Sequence, residues 1–245
     1  RIGQIVPSSN ITMETEVPLM LSRAVVPNDV TFTFHSSRAP MKNVSAPELA
    51  AMNGHMERCA RELSDARMDI IASACLVAIM SQGAGYHRKT QAELEAVCHV
   101  EAPDTQVITS AGALVDSLKA IGAKRVSFIT PYMKGLTELV AGYIENEGIK
   151  VKDTISLEIP NNLEVGAQDP KNLIEIVKRL DTSKVDAVVL SACVQMPSLS
   201  ALAEVQKSFD VPVLSTAAAT VFQILKALKL PTVVPDAGEL LSGKY

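Results

Sequence analysis

The sequence predicts an α/β protein built as two lobes related by a pseudo-twofold axis. Each lobe is a mostly parallel sheet of about four strands flanked by helices, with the active site in the cleft between them. Three observations carry this prediction. Short β-branched runs alternate with longer segments of helical period, which is the signature of β-α-β units. The alternation then starts again in mid-chain, "RIGQIVP" from Arg1 matching "RVSFITP" from Arg125, and "VITSAGALVDSLKAIG" from Val107 matching "VLSTAAATVFQILKAL" from Val213. Finally, the tripeptide "SAC" closes an aliphatic run twice, ending at Cys75 in "MDIIASACLVA" and at Cys193 in "VDAVVLSACVQM". A repeat this long is a duplicated half-molecule, since solenoids repeat every ~20–50 residues.

The elements follow in order. "RIGQIV" reads as a strand and "ITMETEVPLMLSRA" as a helix; "VTFTFHSS" alternates with period two and reads as a strand from Val30. "APELAAMNGHMERCARELSDA" is helical, with Pro47 suited to its first turn. "MDIIASA" is continuously apolar, as in a strand covered on both faces. The stretch "SQGAGYHRKT" is inserted after the first cysteine only, and Gly83 and Gly85 mark it as a mobile loop. "KTQAELEAVCHV" is helical and "QVITS" a strand. The second series runs through "KRVSFITPYMKGLTELVAGYIENEG", a strand and a helix stopped by Gly148, and then the strand "KVKDTISLEI". In "DPKNLIEIVKRLD", Asp169 and Pro170 suit the N-cap and N1 positions of a helix. The strand "VDAVVLSA", the helix "SLSALAEVQKSF", the strand "VPVLST" and the helix "AAATVFQILKAL" complete the series. The expected division is residues 1–107 with 217–245 in the first lobe and 108–216 in the second.

Bulk properties bound the function. A chain of 245 residues with 47% hydrophobic and 20% charged residues has ample length for a buried core. Its net charge of −4 comes from well-mixed signs without a basic stripe, which argues against a nucleic-acid partner. The longest apolar run, Ile70 to Met80, is too short for a membrane span. The four cysteines, Cys59, Cys75, Cys98 and Cys193, form no CxxC pair, so zinc spacing is absent. Nine methionines and no export signal fit a reducing cytoplasm. Cys59 and Cys98 fall in helical segments and read as buried packing residues. No GxGxxG or phosphate-binding loop occurs, so nucleotide binding has no support.

In open parallel sheets, ligands bind beyond the carboxyl ends of the strands. Those ends lead into "PSSN" and "PYMK", "HSSR" and "IPNN", and the two SAC segments. The topology therefore brings Cys75 and Cys193 to opposite sides of one cleft, with Asn10, Tyr132 and Asn162 at its rim. A cysteine where a strand ends meets exposed backbone N–H groups, which favour a thiolate and also receive a carboxylate. Such a cleft suits a small anion although the chain is acidic. His35 and His87 read as satisfied structural histidines.

These motifs carry a resemblance. "RIGQIVPSSNITMETE", "FTFHSSR", "ACLVAIM", "GYHR", "ITSAGALV", "PYMKGLTELV", "EIPNNLEV", "VVLSACVQMPSL" and "GELLSGKY" resemble the aspartate/glutamate racemase superfamily and, within it, the maleate cis-trans isomerases, over nearly the whole chain. The resemblance implies conversion of maleate to fumarate with no cofactor and no metal, through a covalent succinyl-cysteine. It implies Cys75 as nucleophile and Cys193 as the second cysteine. Asn10, Tyr132 and Asn162 would bind substrate, and the backbone amides of Leu76, Val77 and Val194 would hold its carboxylates. A homodimer is the assembly it suggests. Two other readings fit the same symmetry: a two-cysteine amino-acid racemase, and a two-lobed small-acid-binding protein without catalysis. A decarboxylase of the superfamily works with one such cysteine, so the pair speaks against it.

Overall fold

The computed structural model describes residues 1–245 and contains two four-stranded parallel sheets. The first holds β1 (Ile2–Pro7), β2 (Phe34–Ala39), β3 (Ile70–Ser73) and β4 (Gln106–Thr109) in the order β2-β1-β3-β4. The second holds β5 (Arg125–Thr130), β6 (Lys150–Ser156), β7 (Ala187–Ser191) and β8 (Val213–Ser215) in the order β6-β5-β7-β8. The two orders are the same once the strands are renumbered, so the repeat in sequence is a repeat in topology. Both SAC alanines even make the same bond: the Ala74 N–H donates to Ile5 O at 2.7 Å, and the Ala192 N–H to Ile129 O at 2.9 Å.

Ten helices connect and cover the sheets. They are α1 (Met13–Ser22), α2 (Ala46–Asp65), α3 (Leu76–Met80), α4 (Tyr86–Cys98), α5 (Ser110–Ile121), α6 (Lys134–Asn146), α7 (Asn162–Gly166), α8 (Asn172–Ile176), α9 (Leu199–Gln206) and α10 (Thr216–Ala227). The matched pair α5 and α10 opens on matched caps. Thr109 Oγ1 accepts the Gly112 N–H at 3.0 Å, and Ser215 Oγ accepts the Ala218 N–H at 3.2 Å, each satisfying an otherwise free helix donor. The two helices pack against each other, with alanines along both. α10 is buried along almost its whole length against α5 and α1, so its apolar face is core within the chain.

The structure differs from the sequence reading at several elements. β2 starts at Phe34 rather than Val30, because the sheet itself starts there: Phe34, Ile2, Ile70 and Gln106 stand in register, and before Phe34 the one bond to β1 is the Ile2 N–H donating to Thr33 O at 2.8 Å. Only Ser81–Gly85 of the inserted stretch is irregular; Tyr86 to Thr90 form the first turns of α4. Asp169 starts a turn, its carboxylate accepting the Lys171 N–H at 2.9 Å, and regular helix begins at Asn172. β4 runs through Thr109, past residue 107, because Thr109 both pairs with Ser73 and caps α5. α5 packs on α3, α4 and β4 of the first lobe, while α10 packs back on β3 and β4. Gly148 behaves as expected: at φ +85° it ends α6, and the Ile149 N–H reaches back to Ile144 O. No helix is long and apolar enough to cross a membrane.

Candidate active site

Every predicted site residue follows the carboxyl end of a strand or starts the next helix. Asn10 follows β1 and Cys75 follows β3, so they flank the point where the strand order reverses in the first sheet. Tyr132 and Cys193 hold the equivalent places after β5 and β7, and Asn162 starts α7 after β6. These residues, with Leu76, Val77 and Val194, line one nearly closed cavity of about 10 Å³ between the lobes. Pro7, Met41, Val44 and Gln195 complete its wall. All of the predicted set is buried: Cys75 is 7% and Cys193 6% exposed, and Asn10 is fully covered. The cavity is far smaller than the open surface groove of about 680 Å³ that runs past Arg67, Asp104 and Lys229, but it is the one that gathers the chemistry.

The two SAC motifs are not equivalent in detail. Cys75 has φ +74° and ψ +73°, a left-handed conformation that costs a non-glycine residue about 1–2 kcal/mol. This sharp turn lets α3 start at the very next residue. Leu76 and Val77 therefore sit in a first helical turn, and their N–H groups find no partner in the protein. After Cys193 the chain stays irregular until Leu199. Ser191 shapes that loop, its hydroxyl donating to Cys193 O at 2.9 Å and Met196 O at 3.2 Å, whereas the matching Ser73 hydroxyl packs on Met56 Sδ at 3.7 Å. The Val194 N–H is also unpartnered.

Electrostatics separates the sulfurs too. Burial pushes the Cys75 thiol up to about 12; the Ala78 N–H opposes the shift, and a charged Cys193 would add to it. Burial also raises Cys193, but there the Tyr132 hydroxyl and the backbone N–H groups of Gln195 and Met196 pull the other way. The Gln195 N–H lies 3.3 Å from Cys193 Sγ. At Cys75 burial weighs against the thiolate that N–H donors at a strand end are expected to favour. Desolvation outweighs the donors there and favours the neutral thiol. Tyr132 is pushed well above the usual phenol range, by burial first and by the two sulfurs second, so its hydroxyl is a donor; it reaches Ala192 O at 3.3 Å.

The asparagines are held so that their amides serve the cavity. Asn10 Oδ1 accepts the Met13 N–H at 3.0 Å and so caps α1, which turns Nδ2 away from the helix. That Nδ2 is buried without any hydrogen-bond partner. An orphaned buried amide donor is costly, on the order of 1–3 kcal/mol, unless a ligand takes it. Asn162 is steadied by its Nδ2 donating to Ser9 Oγ at 2.8 Å, a bond from one lobe to the other. His35 is exposed on β2, bonded to Thr33 Oγ1 at 3.1 Å, and does not line the cavity. His87 is buried between α4 and α6, its Nδ1 2.5 Å from the Tyr143 hydroxyl, with burial lowering its pKa. The Ser81–Gly85 loop contributes nothing to the lining. Nowhere do three or more His, Cys, Asp or Glu side chains converge as a metal site would need.

Sequence reasoning missed Gln195 and Glu16. Glu16 of α1 is buried and its carboxylate accepts the N–H groups of Ser198 and Leu199, each at 2.7 Å, capping α9 across the lobe interface. The "METE" run gives no local hint of this, because its partners lie 182 and 183 residues away. The apolar wall of Met41 and Val44 comes from the loop after β2, which bridges to the loop after β6 by pairing Asn43 with Asn161.

The chain was compared with known proteins. The sequence profile of a family described as arylmalonate decarboxylase matches residues 2–241. A maleate isomerase of Geobacillus stearothermophilus is 59% identical, the alignment covering 100% of this chain and 98% of that one. The crystal structure of a cysteine-to-alanine variant of the maleate isomerase Iso from Pseudomonas putida S16, with maleate, superposes with a TM-score of 0.98 at 56% identity, covering 100% of this chain and 98% of that one. A cysteine-to-serine mutant of the Nocardia farcinica maleate cis-trans isomerase, with a covalently bound succinylcysteine intermediate, superposes at 0.95 with 43% identity, covering 100% of this chain and 99% of that one.

Proposed function

The chain belongs to the maleate isomerase family, and from that premise we propose that it converts maleate to fumarate in the cavity between Cys75 and Cys193. The observation that carries the reading is the shared lining: two cysteines from two lobes, three free backbone N–H groups and the orphaned Asn10 amide meet around one small volume.

The chemistry asks for one temporary single bond. The double bond of maleate blocks rotation, so a nucleophile must add to one alkene carbon and later leave. Cys75 gives up its proton to solvent before the diacid fills the cavity. Its sulfur electron pair then forms the S–C2 bond, and the π pair moves to C3 and the carboxylate on it. That carboxylate gains charge as an aci-carboxylate, where N–H donors stabilise it. The N–H groups of Leu76, Val77 and Val194 and the Asn10 and Asn162 amides are the donors within the lining. The Cys193 thiol gives its proton to C3, and C2–C3, now single, rotates. Cys193 then takes the other hydrogen of C3, the one maleate brought, as a proton; the C3–H pair re-forms the double bond in the trans arrangement and the C–S pair returns to Cys75. Tyr132, donating to Cys193 when that sulfur is charged, steadies the step in which Cys193 is a thiolate. No external oxidant, reductant or cofactor enters the balance.

Support for the covalent step comes from the Nocardia farcinica relative, in which a succinylcysteine forms although another cysteine is serine. Proton NMR of maleate with the protein in heavy water tests the function: a fumarate singlet should replace the maleate singlet, with deuterium entering from the Cys193 thiol. L-aspartate should keep its optical rotation, which separates this reaction from racemisation. Cys75→Ala should abolish a +116 Da-class succinyl adduct, on the order of the mass of maleic acid; an adduct surviving on Cys193 would transfer the nucleophilic role. The same family likeness leads us to propose a cytoplasmic homodimer, which sedimentation of the purified chain and fractionation of the cells check.

A further inference from the structure

Gln195 uses its whole side-chain amide across the lobe interface. Oε1 accepts the N–H groups of Ile11 at 3.0 Å and Thr12 at 3.3 Å, and Nε2 donates to Ser9 O at 3.0 Å and Asn162 O at 2.8 Å. That is the full capacity of two donors and two lone pairs. The residue is 2% exposed, so none of these bonds competes with bulk water. Its backbone joins in: Gln195 O accepts the Thr12 hydroxyl at 2.7 Å. Ser9, Ile11 and Thr12 surround Asn10, and Asn162 is itself bonded, so one side chain grips the turn that carries one substrate-binding asparagine and the backbone of the other.

A second observation shows that the fold makes room for this amide. A Cβ added to Gly166, at the end of α7, would come 2.6 Å from Gln195 Nε2 and 3.1 Å from its Cδ. Gly166 does not have a positive φ, so its backbone does not demand glycine. What demands it is the seat of the Gln195 amide.

We propose that Gln195 is a positioning residue that ties the Asn10 turn of one lobe and Asn162 of the other to the Cys193 loop, so that the two halves of the substrate grip form one rigid frame. The inference rests on the maleate reading for its kinetic effect, though the frame itself does not depend on it. A displacement of either amide by about 1 Å loses much of the benefit of a preset geometry. Loss of the frame therefore appears chiefly as weaker diacid binding, while the sulfur chemistry proceeds once the substrate is seated.

The test compares Gln195→Ala, Gly166→Ala and the double variant in steady-state kinetics with maleate. Each single variant should raise KM at least tenfold, with kcat reduced less than KM is raised. The double variant should be no worse than Gln195→Ala, because both changes remove the same contact. A KM within twofold of wild type in Gly166→Ala, or effects that multiply in the double variant, overturns the proposal. A readout without substrate runs beside it: alkylation of Cys75 and Cys193 by iodoacetamide, followed by peptide mass spectrometry, should be at least fivefold faster in Gly166→Ala as the lobes loosen. Unchanged alkylation overturns the frame even if wild type proves inactive on maleate, and wild-type inactivity with accelerated alkylation counts against the substrate reading alone.

Discussion

The two cysteines occupy matched places yet differ in backbone and partners. Cys75 sits in a left-handed turn that a β-branched residue would resist, and it has one N–H neighbour; Cys193 has a hydroxyl and two N–H groups. Since burial holds Cys75 up at about 12, its reactive fraction is small at neutral pH and grows as pH rises. The prediction is a kcat/KM for maleate that climbs with pH, approaching tenfold per unit, between about pH 6 and 9; a flat profile would show that a neutral sulfur or another base starts the reaction. Asn10 allows its two roles to be separated. Asn10→Asp keeps an oxygen for the Met13 N–H but replaces the cavity donor with a carboxylate. Thermal stability should stay within a few degrees, while the apparent maleate affinity falls on the order of 10–100-fold, the loss expected for one charge-assisted donor. Equal losses in Tm and affinity would instead assign Asn10 to folding alone.

Among elements, the informative ones are short or joined across the interface. α3 and α7 have five residues each, too few to show a helical period, so the runs "LVAIM" and "NLEVG" did not read as helices. They nonetheless present Leu76, Val77 and Asn162 to the cavity. Long elements with matched caps, such as α5 and α10, were legible because capping and periodicity are local. α9 owes its start to α1: the Glu16 carboxylate accepts two N–H groups at its first turn, against the cost of burial, which raises the Glu16 pKa despite those bonds. Glu16→Ala should cost on the order of 2 kcal/mol of stability by leaving those donors buried without a partner, measured by urea unfolding. Glu16→Gln keeps one acceptor oxygen and should recover part of the loss; if Ala and Gln behave alike, the charge rather than the acceptor carries the contact.

At the scale of the molecule, the lobes are joined by polar contacts around an apolar core. Glu147 at the carboxyl end of α6 meets Arg88 of α4 at 2.5 Å and Lys119 of α5 at 2.7 Å, with its own side chain only 7% exposed. A negative charge at a helix carboxyl end is unfavourable by itself, so the two cations decide the balance. The Arg88 hydrogen bond, with Lys119 adding to it, holds the Glu147 carboxyl down at about 2. A carboxylate depressed in the folded state stabilises above its unfolded value near 4.5, and that contribution disappears as pH falls toward 2. Half-exposed partners reduce its worth to on the order of 1–3 kcal/mol. Wild type should therefore lose stability more steeply between pH 5 and pH 2.5 than Glu147→Gln does, in thermal unfolding; parallel curves would mean that the cluster is screened out by solvent.

By itself, the sequence determined the strand–helix alternation, its duplication and the placement of two cysteines after equivalent strands, because periodicity and strand-end position are local properties of a chain. Tertiary structure alone decided what surrounds those sulfurs: the depth of their burial, the Glu16 cap on α9, and the Gln195 amide, whose bonds to Ser9, Ile11 and Thr12 span 183 to 186 residues. Such contacts leave no period in the sequence, since they exist only once two separately encoded sheets have closed on each other.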